Sequence, residues 1–358
     1  MIRSGKFAGK KIVLLEKEPK TKNDRTWCFW EEGNGFFEEI VYRSWPKIDF
    51  LSDNYSATLD INPYSYKMVR GIDFYSYCFN EISNQDNIEV VYGELSSVRK
   101  HSEGLTLVVN DQEYNFDHAI VFNSILNYDE QNDAEIKLMQ HFQGWVIKTT
   151  EPVFDPGKAS LMDFRVHQQY GTAFAYVLPL NGHSALVEYT LFTASLLQQH
   201  QYDEELKSYI RNYLKITEYT IEEKEFGIIP MTNKKFEFYK DSIFHIGAAG
   251  GQTKASSGYT FQFIQKQSQQ IIDCLIRGHS LTVIKGTAKR FRFYDNTLLH
   301  ILYQNKLPGK RVFTQLFQKN KPQQVLRFLD NESSLLEEVK IISTLPTWPF
   351  LQAALKQL

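Results

Sequence analysis

Apolar and polar positions fall into distinct patterns along the chain. A short β-branched run, KIVLLEK at Lys11 to Lys17, follows a Gly-containing turn at Gly5 to Gly9. An apolar run of that length ending in an acid predicts a buried parallel strand with Glu16 at its carboxyl end. From about Glu89 to Val121 the chain alternates as IEVVYGEL, GLTLVVND and EYNFDHAIVF, which predicts antiparallel strands joined at Gly or Asn-Asp turns. A second alternating set covers Gly144 to Ile147, Ala173 to Leu180 and Ser184 to Thr190, and Gly182 makes the last two a hairpin. Helical spacing takes over from about Ser195 to Leu214, where Leu196, Leu197, Leu206, Ile210 and Leu214 sit among polar residues. A further strand, SIFHIG at Ser242 to Gly247, leads into AAGGQTKASSGY. A helix follows, with Phe263, Ile264, Ile271, Ile272, Leu275 and Ile276 at helical spacing. From Lys285 onward the pattern is helical.

Composition narrows this picture. With 358 residues, 42% hydrophobic, 23% charged and a net charge of -2, the chain is globular and long enough for two interleaved domains, and disorder, collagen and coiled coil are excluded. The aromatic surplus, 26 Phe, 20 Tyr and 5 Trp, exceeds what a core of this size needs and is equally compatible with a sandwich-rich fold, a large apolar ligand site or AT-biased codon usage. No window approaches the roughly 18 apolar residues of a membrane span, and Met1 to Lys11 lacks the apolar core of a signal peptide. The expected location is therefore cytoplasmic. Cys28, Cys78 and Cys274 form no CxxC pair, so a disulfide framework and a zinc site are both unexpected and the thiols read as reduced and structural. Between Lys285 and Leu329 ten Lys or Arg stand against Asp295 alone, a net +9. Phe291, Phe293, Leu298, Leu299, Ile301, Leu302, Phe313, Leu316 and Phe317 interleave with them. That mixture suits an anionic membrane surface or, equally, a solvated face over core positions. Nucleic acid is not an expected partner, because the bases alternate with apolar positions and the rest of the chain is acidic.

Three segments concentrate chemistry: NDRTWCFWE at Asn23 to Glu31, LMDFR at Leu161 to Arg165, and LVEYT at Leu186 to Thr190. Asp163 and Arg165, two apart, lie on one side of a strand and can pair. Glu188 interrupts an apolar strand with no local cation, and burial raises a carboxyl's pKa until it can exchange a proton near neutrality. Glu188 is therefore the leading acid/base candidate. Glycines at Gly247, Gly250, Gly251 and Gly258 permit close backbone approach, and a glycine turn feeding a helix N-terminus offers N–H groups to an anion. No histidine falls at metal-ligand spacing, and GxSxG, HExxH and P-loop motifs are absent.

At these segments the sequence resembles the bacterial lycopene cyclases, FAD-dependent enzymes of carotenoid synthesis. The matching stretches are LLEKEPKTKNDRTWCFW, YKMVRGIDFY, LMDFR, AFAYVLPL, ALVEYT, GIIPMT, GAAGGQTKASSGYTFQFIQKQS and RFRFYDNTLLHIL, in family order across nearly the whole chain. The resemblance implies an α/β fold: an FAD/NAD(P)-binding Rossmann-like domain of the glutathione reductase and hydroxylase type, an inserted antiparallel β-rich substrate domain and a helical C-terminal region. The expected boundaries are 1–65 with 236–282, 66–235, and 283–358.

The resemblance also implies roles. Glu16 and Arg25 contact FAD, with Glu16 on the adenosine ribose. Gly247, Ala248, Gly250, Gly251, Gly258 and Tyr259 approach the diphosphate and isoalloxazine. Glu188 is the catalytic acid, with Asp163 and Arg165 as further catalytic candidates, and Trp27, Trp30, Phe174 and Tyr176 line the substrate tunnel. The implied reaction is a redox-neutral β-cyclisation of the ψ ends of lycopene with reduced FAD, NAD(P)H being a candidate reductant, at the inner face of the cell membrane. Two departures stand out. No GxGxxG lies near Glu16, so the first Rossmann strand and its turn are expected to be missing, and Ala255 stands where relatives often carry proline. The alternatives are a flavin reductase or monooxygenase acting on a prenyl lipid, and an inactive, N-terminally truncated member of the family.

Overall fold

A computed structural model of the protein describes residues 1–101, 104–126, 136–240 and 243–357. In chain order its strands and helices begin with β1 (Ile12–Glu16), β2 (Thr26–Glu32), β3 (Arg43–Trp45), β4 (Lys47–Ser52), β5 (Tyr55–Asp60), β6 (Tyr64–Arg70) and α1 (Gly71–Ser83). There follow β7 (Ile88–Tyr92), β8 (Leu95–Lys100), β9 (Gly104–Val109), β10 (Gln112–Asp117), β11 (Val121–Asn123), β12 (Lys137–Lys148), β13 (Lys158–Asp163), β14 (Thr172–Pro179) and β15 (Ser184–Thr193). The last third contains α2 (Gln199–Asn212), β16 (Thr220–Thr232), β17 (Tyr239–Lys240), β18 (Ile243–His245), α3 (Phe261–Ile276), α4 (Lys289–Tyr303), α5 (Gly309–Lys319), α6 (Pro322–Leu329), α7 (Leu335–Ser343) and α8 (Thr347–Leu355).

A seven-stranded sheet in the order β16-β12-β15-β14-β13-β4-β5 dominates the molecule, antiparallel except for β13 beside β4. Period-2 alternation gives each of its strands two faces. On one face Trp145, Ala175, Val187, Tyr189 and Leu191 pack against Tyr202, Leu206, Tyr209 and Ile210 of α2. On the other face Leu138, Phe174, Tyr176, Leu178, Leu186 and Phe192 join Trp30, Tyr66 and Met68 of a small sheet, β2-β6-β3. Leu299, Phe313, Leu316, Phe317, Val325 and Leu326 from α4, α5 and α6 complete this larger core.

Parallel pairing is confined to short pieces besides the β13–β4 step. β1 pairs with β7 and β11 with β18, in separate sheets. This corrects two expectations. The run from Glu89 to Val121 is not one antiparallel meander: only β8, β9 and β10 are, turning at Asn110 and Asp111, both of which adopt positive φ. β1 is parallel as expected but only half-buried, with Leu14 exposed, because among the described residues it has one neighbouring strand. β4 and β5, which precede the expected boundary at residue 65, are strands of the large sheet, while β7 and β11 pair in parallel elsewhere. The expected strand from Ser242 is seen as β18, Ser242 itself lying outside the described residues.

The basic stretch from Lys285 to Leu329 forms α4 to α6 as its periodicity predicts. Its apolar residues do not face outward, however. Phe291, Leu299, Ile301, Leu302, Phe313, Leu316 and Phe317 are all buried, so that stripe is core. No described helix is long and apolar enough to cross a membrane.

Candidate active site

Glu188 sits in the middle of β15 with 8% of its surface exposed, on the face that carries Leu186 and Phe192. Directly across on β14 is Tyr176, and across on β12 is Gly144. Gly144 is also paired, on its other side, with Glu225 of β16. Two glutamates thus flank one glycine in the same cross-strand row, where directly opposed side chains meet. A Cβ at Gly144 would lie 2.9 Å from Cγ of Glu188 and 2.9 Å from Cγ of Glu225. The glycine provides the space in which the two carboxyls approach each other.

Glu225 is held from above. Thr26 Oγ1, on β2, donates to Glu225 Oε2 at 3.0 Å, while Glu225 Oε1 is buried without a hydrogen-bond partner among the described residues. The small sheet lays Cys28, Trp30, Tyr66 and Met68 over the same region, because Cys28 pairs with Met68 and Trp30 with Tyr66 on one face of β2 and β6. The Tyr66 and Tyr176 hydroxyls hydrogen-bond to each other, and Tyr66 also reaches the Tyr259 hydroxyl at 3.3 Å. Trp30 stands edge-on to Tyr259 with ring centroids 4.5 Å apart. A cavity of about 210 Å³ reaches Glu225 from the side away from Glu188, and Thr26, Met68, Val146 and Leu186 line it together with Arg70, Lys148, Glu222, Glu223 and Lys224.

The electrostatics follow from this enclosure. Burial, and then the charge of Glu225 beside it, hold the Glu188 carboxyl well above the usual carboxylate range. Burial likewise pushes up the Cys28 thiol and the Tyr66, Tyr176 and Tyr259 hydroxyls. These four groups are neutral at neutral pH, so they serve neither as bases nor as a thiolate nucleophile. The Glu188 and Glu225 carboxyls are the other titratable groups of this enclosure. Among the described residues neither has an ion-pair partner, whereas Asp163 does.

The structure brings Trp30, Phe174 and Tyr176 to the Glu188 side. Trp27 points the other way, because it is three residues from Trp30 in a strand, and it stacks on Phe261 at 5.6 Å beside Phe74. Asp163 and Arg165 are also on the opposite face. Arg165 donates twice to the fully buried Asp163, at 2.9 and 2.6 Å, and Tyr209 of α2 donates to the same carboxylate at 2.9 Å. That arrangement ties α2 to the sheet and does not approach Glu188.

Glu16 ends β1 and accepts from the Lys17 amide at 2.9 Å and pairs with Lys20 at 3.0 Å, both through Oε1. Arg25 is exposed beside Asp24. The turn after β18 is a single 3-10 turn, Gly247–Gly250, containing Ala248, and α3 starts only at Phe261. The glycines are therefore not at the helix N-terminus itself. Gly247 and Gly251 adopt positive φ, and a Cβ at Gly250 would lie 2.2 Å from the His245 carbonyl oxygen, so this tight path accepts only glycine there. A larger cavity, about 980 Å³, is lined by Gly250, Gly251, Gln252 and Thr253 together with Lys234, Lys235, Lys266, Lys285, Lys289 and Arg292. Gly258, at φ +75°, packs against Gln140 of β12 and delivers Tyr259 to the carboxyl site.

Sequence reasoning did not single out Glu225, Thr26, Gly144, Cys28 or Tyr66 for this site. Glu225 belongs to the polar run TIEEKEF, which reads as solvated surface. The available signal was alternation along β16, which sets Glu225 on the same side as Met231, a core residue of the Glu188 face.

No curated protein matches the chain by sequence. Solved structures share the fold at low identity. A geranylgeranyl bacteriochlorophyll reductase-like protein from Thermoplasma acidophilum is similar at a TM-score of 0.59 and 12% identity, over 98% of this chain and 94% of that one. A flavin-dependent brominase, and p-nitrophenol 4-monooxygenase from Pseudomonas putida, each give a TM-score of 0.54 at 12% identity over the same shares of the two chains. They show an α/β fold shared with such enzymes. The family profile described as lycopene cyclase protein matches residues 3–355, and the chain belongs to that family.

Proposed function

We propose that this protein is a lycopene β-cyclase, an intramolecular lyase in which Glu188 protonates the ψ end group of lycopene. The observation that carries the reading is the position of Glu188: a buried carboxyl, kept protonated by burial and by Glu225, on a face built from Trp30, Tyr66, Phe174 and Tyr176. The O–H bond of Glu188 breaks as a C–H bond forms at the terminal double bond, leaving a tertiary carbocation that the neighbouring double bond attacks. Proton loss from the new ring gives the β-ionone product, and no electrons are gained or lost. Water would trap such a cation, and the packed aromatic face excludes it while ring faces stabilise positive charge.

The residues present fit FAD. Glu16 has a second oxygen, Oε2, with no hydrogen bond among the described residues, suited to a ribose hydroxyl. The glycine turn from Gly247 to Gly251 leaves backbone approachable, and the lysine-rich lining of the adjacent cavity suits an anion. Glu16 would hold the adenosine ribose, Arg25 and the turn residues Gly247, Ala248, Gly250 and Gly251 the diphosphate, and Gly258 and Tyr259 would lie toward the isoalloxazine. When bound, FAD in its reduced form would supply electron density that stabilises the cationic transition state, NAD(P)H being the candidate reductant.

Peripheral attachment to the inner, anionic membrane face belongs to the same reading, but at a different surface from the buried stripe of α4 to α6. Leu335, Leu336 and Val339 of α7 and Trp348, Leu351 and Leu355 of α8 are exposed, Leu336 at 85%, next to exposed Lys340 and Lys356. Exposed apolar side chains beside lysines suit insertion at an anionic interface. No nucleic-acid partner is proposed.

Expression in lycopene-accumulating bacteria tests the reading. Cyclised pigment, γ-carotene or β-carotene, is the expected product. Unchanged lycopene contradicts it, and a reduced or oxygenated prenyl product with NAD(P)H consumption would replace it with the reductase or monooxygenase reading.

A further inference from the structure

Glu225 reaches the site from a strand that is not adjacent to that of Glu188. β12 lies between them, and at the shared position β12 carries Gly144. Any larger residue would fill the gap, since its Cβ would contact both glutamates at 2.9 Å. One oxygen of Glu225 is fixed by Thr26 and the other is buried with no partner among the described residues. A buried carboxyl oxygen with no donor is costly unless a proton is shared with it. Two carboxyls that meet across one glycine repel each other when both are charged, and with burial this holds the Glu188 carboxyl above its usual range when no cation is beside it.

We propose that Glu225 is a positioning residue for Glu188: across Gly144 the two carboxyls share one proton, which Glu188 delivers to the substrate and the pair takes back from the closed ring. The inference rests on the cyclase reading for the delivery step and on geometry alone for the sharing. The proton balance closes within the site, because the O–H bond broken in the first step is remade when the ring C–H bond breaks. Between the two events both carboxyls are ionised, and the carbocation formed beside them offsets the repulsion between their charges, which is electrostatic stabilisation aimed at the charge that develops. The other titratable groups facing Glu188 are Cys28 on β2, Tyr66 on β6, Tyr176 on β14 and Tyr259 before α3, all raised by burial and neutral.

The test uses purified full-length wild type, Glu225→Gln and Gly144→Ala. The infrared band of a protonated carboxyl, assigned by its loss in Glu188→Gln, is followed against pH without substrate. Glu225→Gln is close to isosteric and keeps an acceptor for Thr26. It is expected to move the loss of that band to lower pH by about one unit or more. The alkaline limb of the cyclisation profile should move equally. Gly144→Ala, which wedges the carboxyls apart, is expected to shift both in the same direction and serves if Glu225→Gln fails to fold. A band and a limb that stay at the wild-type pH in Glu225→Gln overturn the proposal, as does the absence of any protonated carboxyl in wild type at neutral pH. A shifting band in a protein that forms no cyclised product keeps the shared proton and removes the cyclase reading instead.

Discussion

The hydroxyls of Tyr66 and Tyr176 meet in a hydrogen bond across the gap between the small sheet and the seven-stranded sheet, their rings at 88° and their centroids 6.2 Å apart. This contact closes the roof over Glu188. It links β6, which carries Tyr66, to β14, whose Tyr176 lies opposite the acid itself.

Replacing Tyr176 with Phe removes one hydroxyl and leaves Tyr66 with its longer contact to Tyr259. Because a partner remains, the expected loss is about 1 kcal/mol of stability rather than the full cost of an orphaned buried hydroxyl. Urea denaturation reads it as a lower midpoint at unchanged slope. A loss several times larger would mean that the ring, not the hydroxyl, is misplaced in the variant.

Asp163 is expected to behave as a stability residue. Asp163→Asn leaves Arg165 and Tyr209 without their shared carboxylate, and because Arg165 keeps a 33% exposed side chain that water can solvate, the cost is about 1–3 kcal/mol. Folded variant should keep the infrared carboxyl band of Glu188 and most of its turnover per folded molecule. Loss of turnover in fully folded protein would return Asp163 to the chemistry.

Asp330 makes stability depend on pH. Burial raises its carboxyl from 3.8 to about 7, against the pull of Lys266. The native state therefore holds a proton that the unfolded chain releases, and this group's contribution is full below about pH 4 and lost as pH rises through about 7. Asp330→Asn is expected to match wild type near pH 4 and to gain on it toward pH 7, by at most about 1.4 kcal/mol per pH unit, levelling off above. Urea midpoints across that range check the sign; a variant that loses ground as pH rises contradicts it.

How far the sequence showed this site depended on whether a signal was local. Glu188 stood out because an acid broke an otherwise apolar strand, and that required nothing beyond its neighbours in sequence. Glu225 was hidden because its neighbours are themselves acidic; only the register of β16 on β12 reveals that it shares Gly144 with Glu188. Trp27 and Trp30 looked equivalent until β2 was seen to be a strand, whose period of two sends residues three apart to opposite faces. The stripe of α4 to α6 was legible as helical, but periodicity does not say whether an apolar face meets lipid or protein, and here it meets the β-sheet core.

The exposed apolar faces of α7 and α8 predict where membrane contact is lost. Leu336→Glu together with Trp348→Glu should lower partitioning onto anionic vesicles by tenfold or more, each large apolar side chain contributing about 1.5–3 kcal/mol when buried. Flotation checks this, and charge reversal of Lys289 and Arg292 in α4 serves as the comparison that should have the smaller effect. Equal retention of the double variant would separate the enzyme from that surface.

The most direct test of the central claim, that the Glu188 carboxyl supplies the proton that starts ring closure, is cyclisation of lycopene in deuterium oxide followed by mass spectrometry of the product. The carboxyl of the substrate-free enzyme equilibrates with solvent, so under single-turnover conditions the first ring formed should carry one added deuterium, and Glu188→Gln, with its flavin spectrum intact, should form no product. A cyclised product without solvent deuterium, or wild-type turnover by Glu188→Gln, would contradict the account.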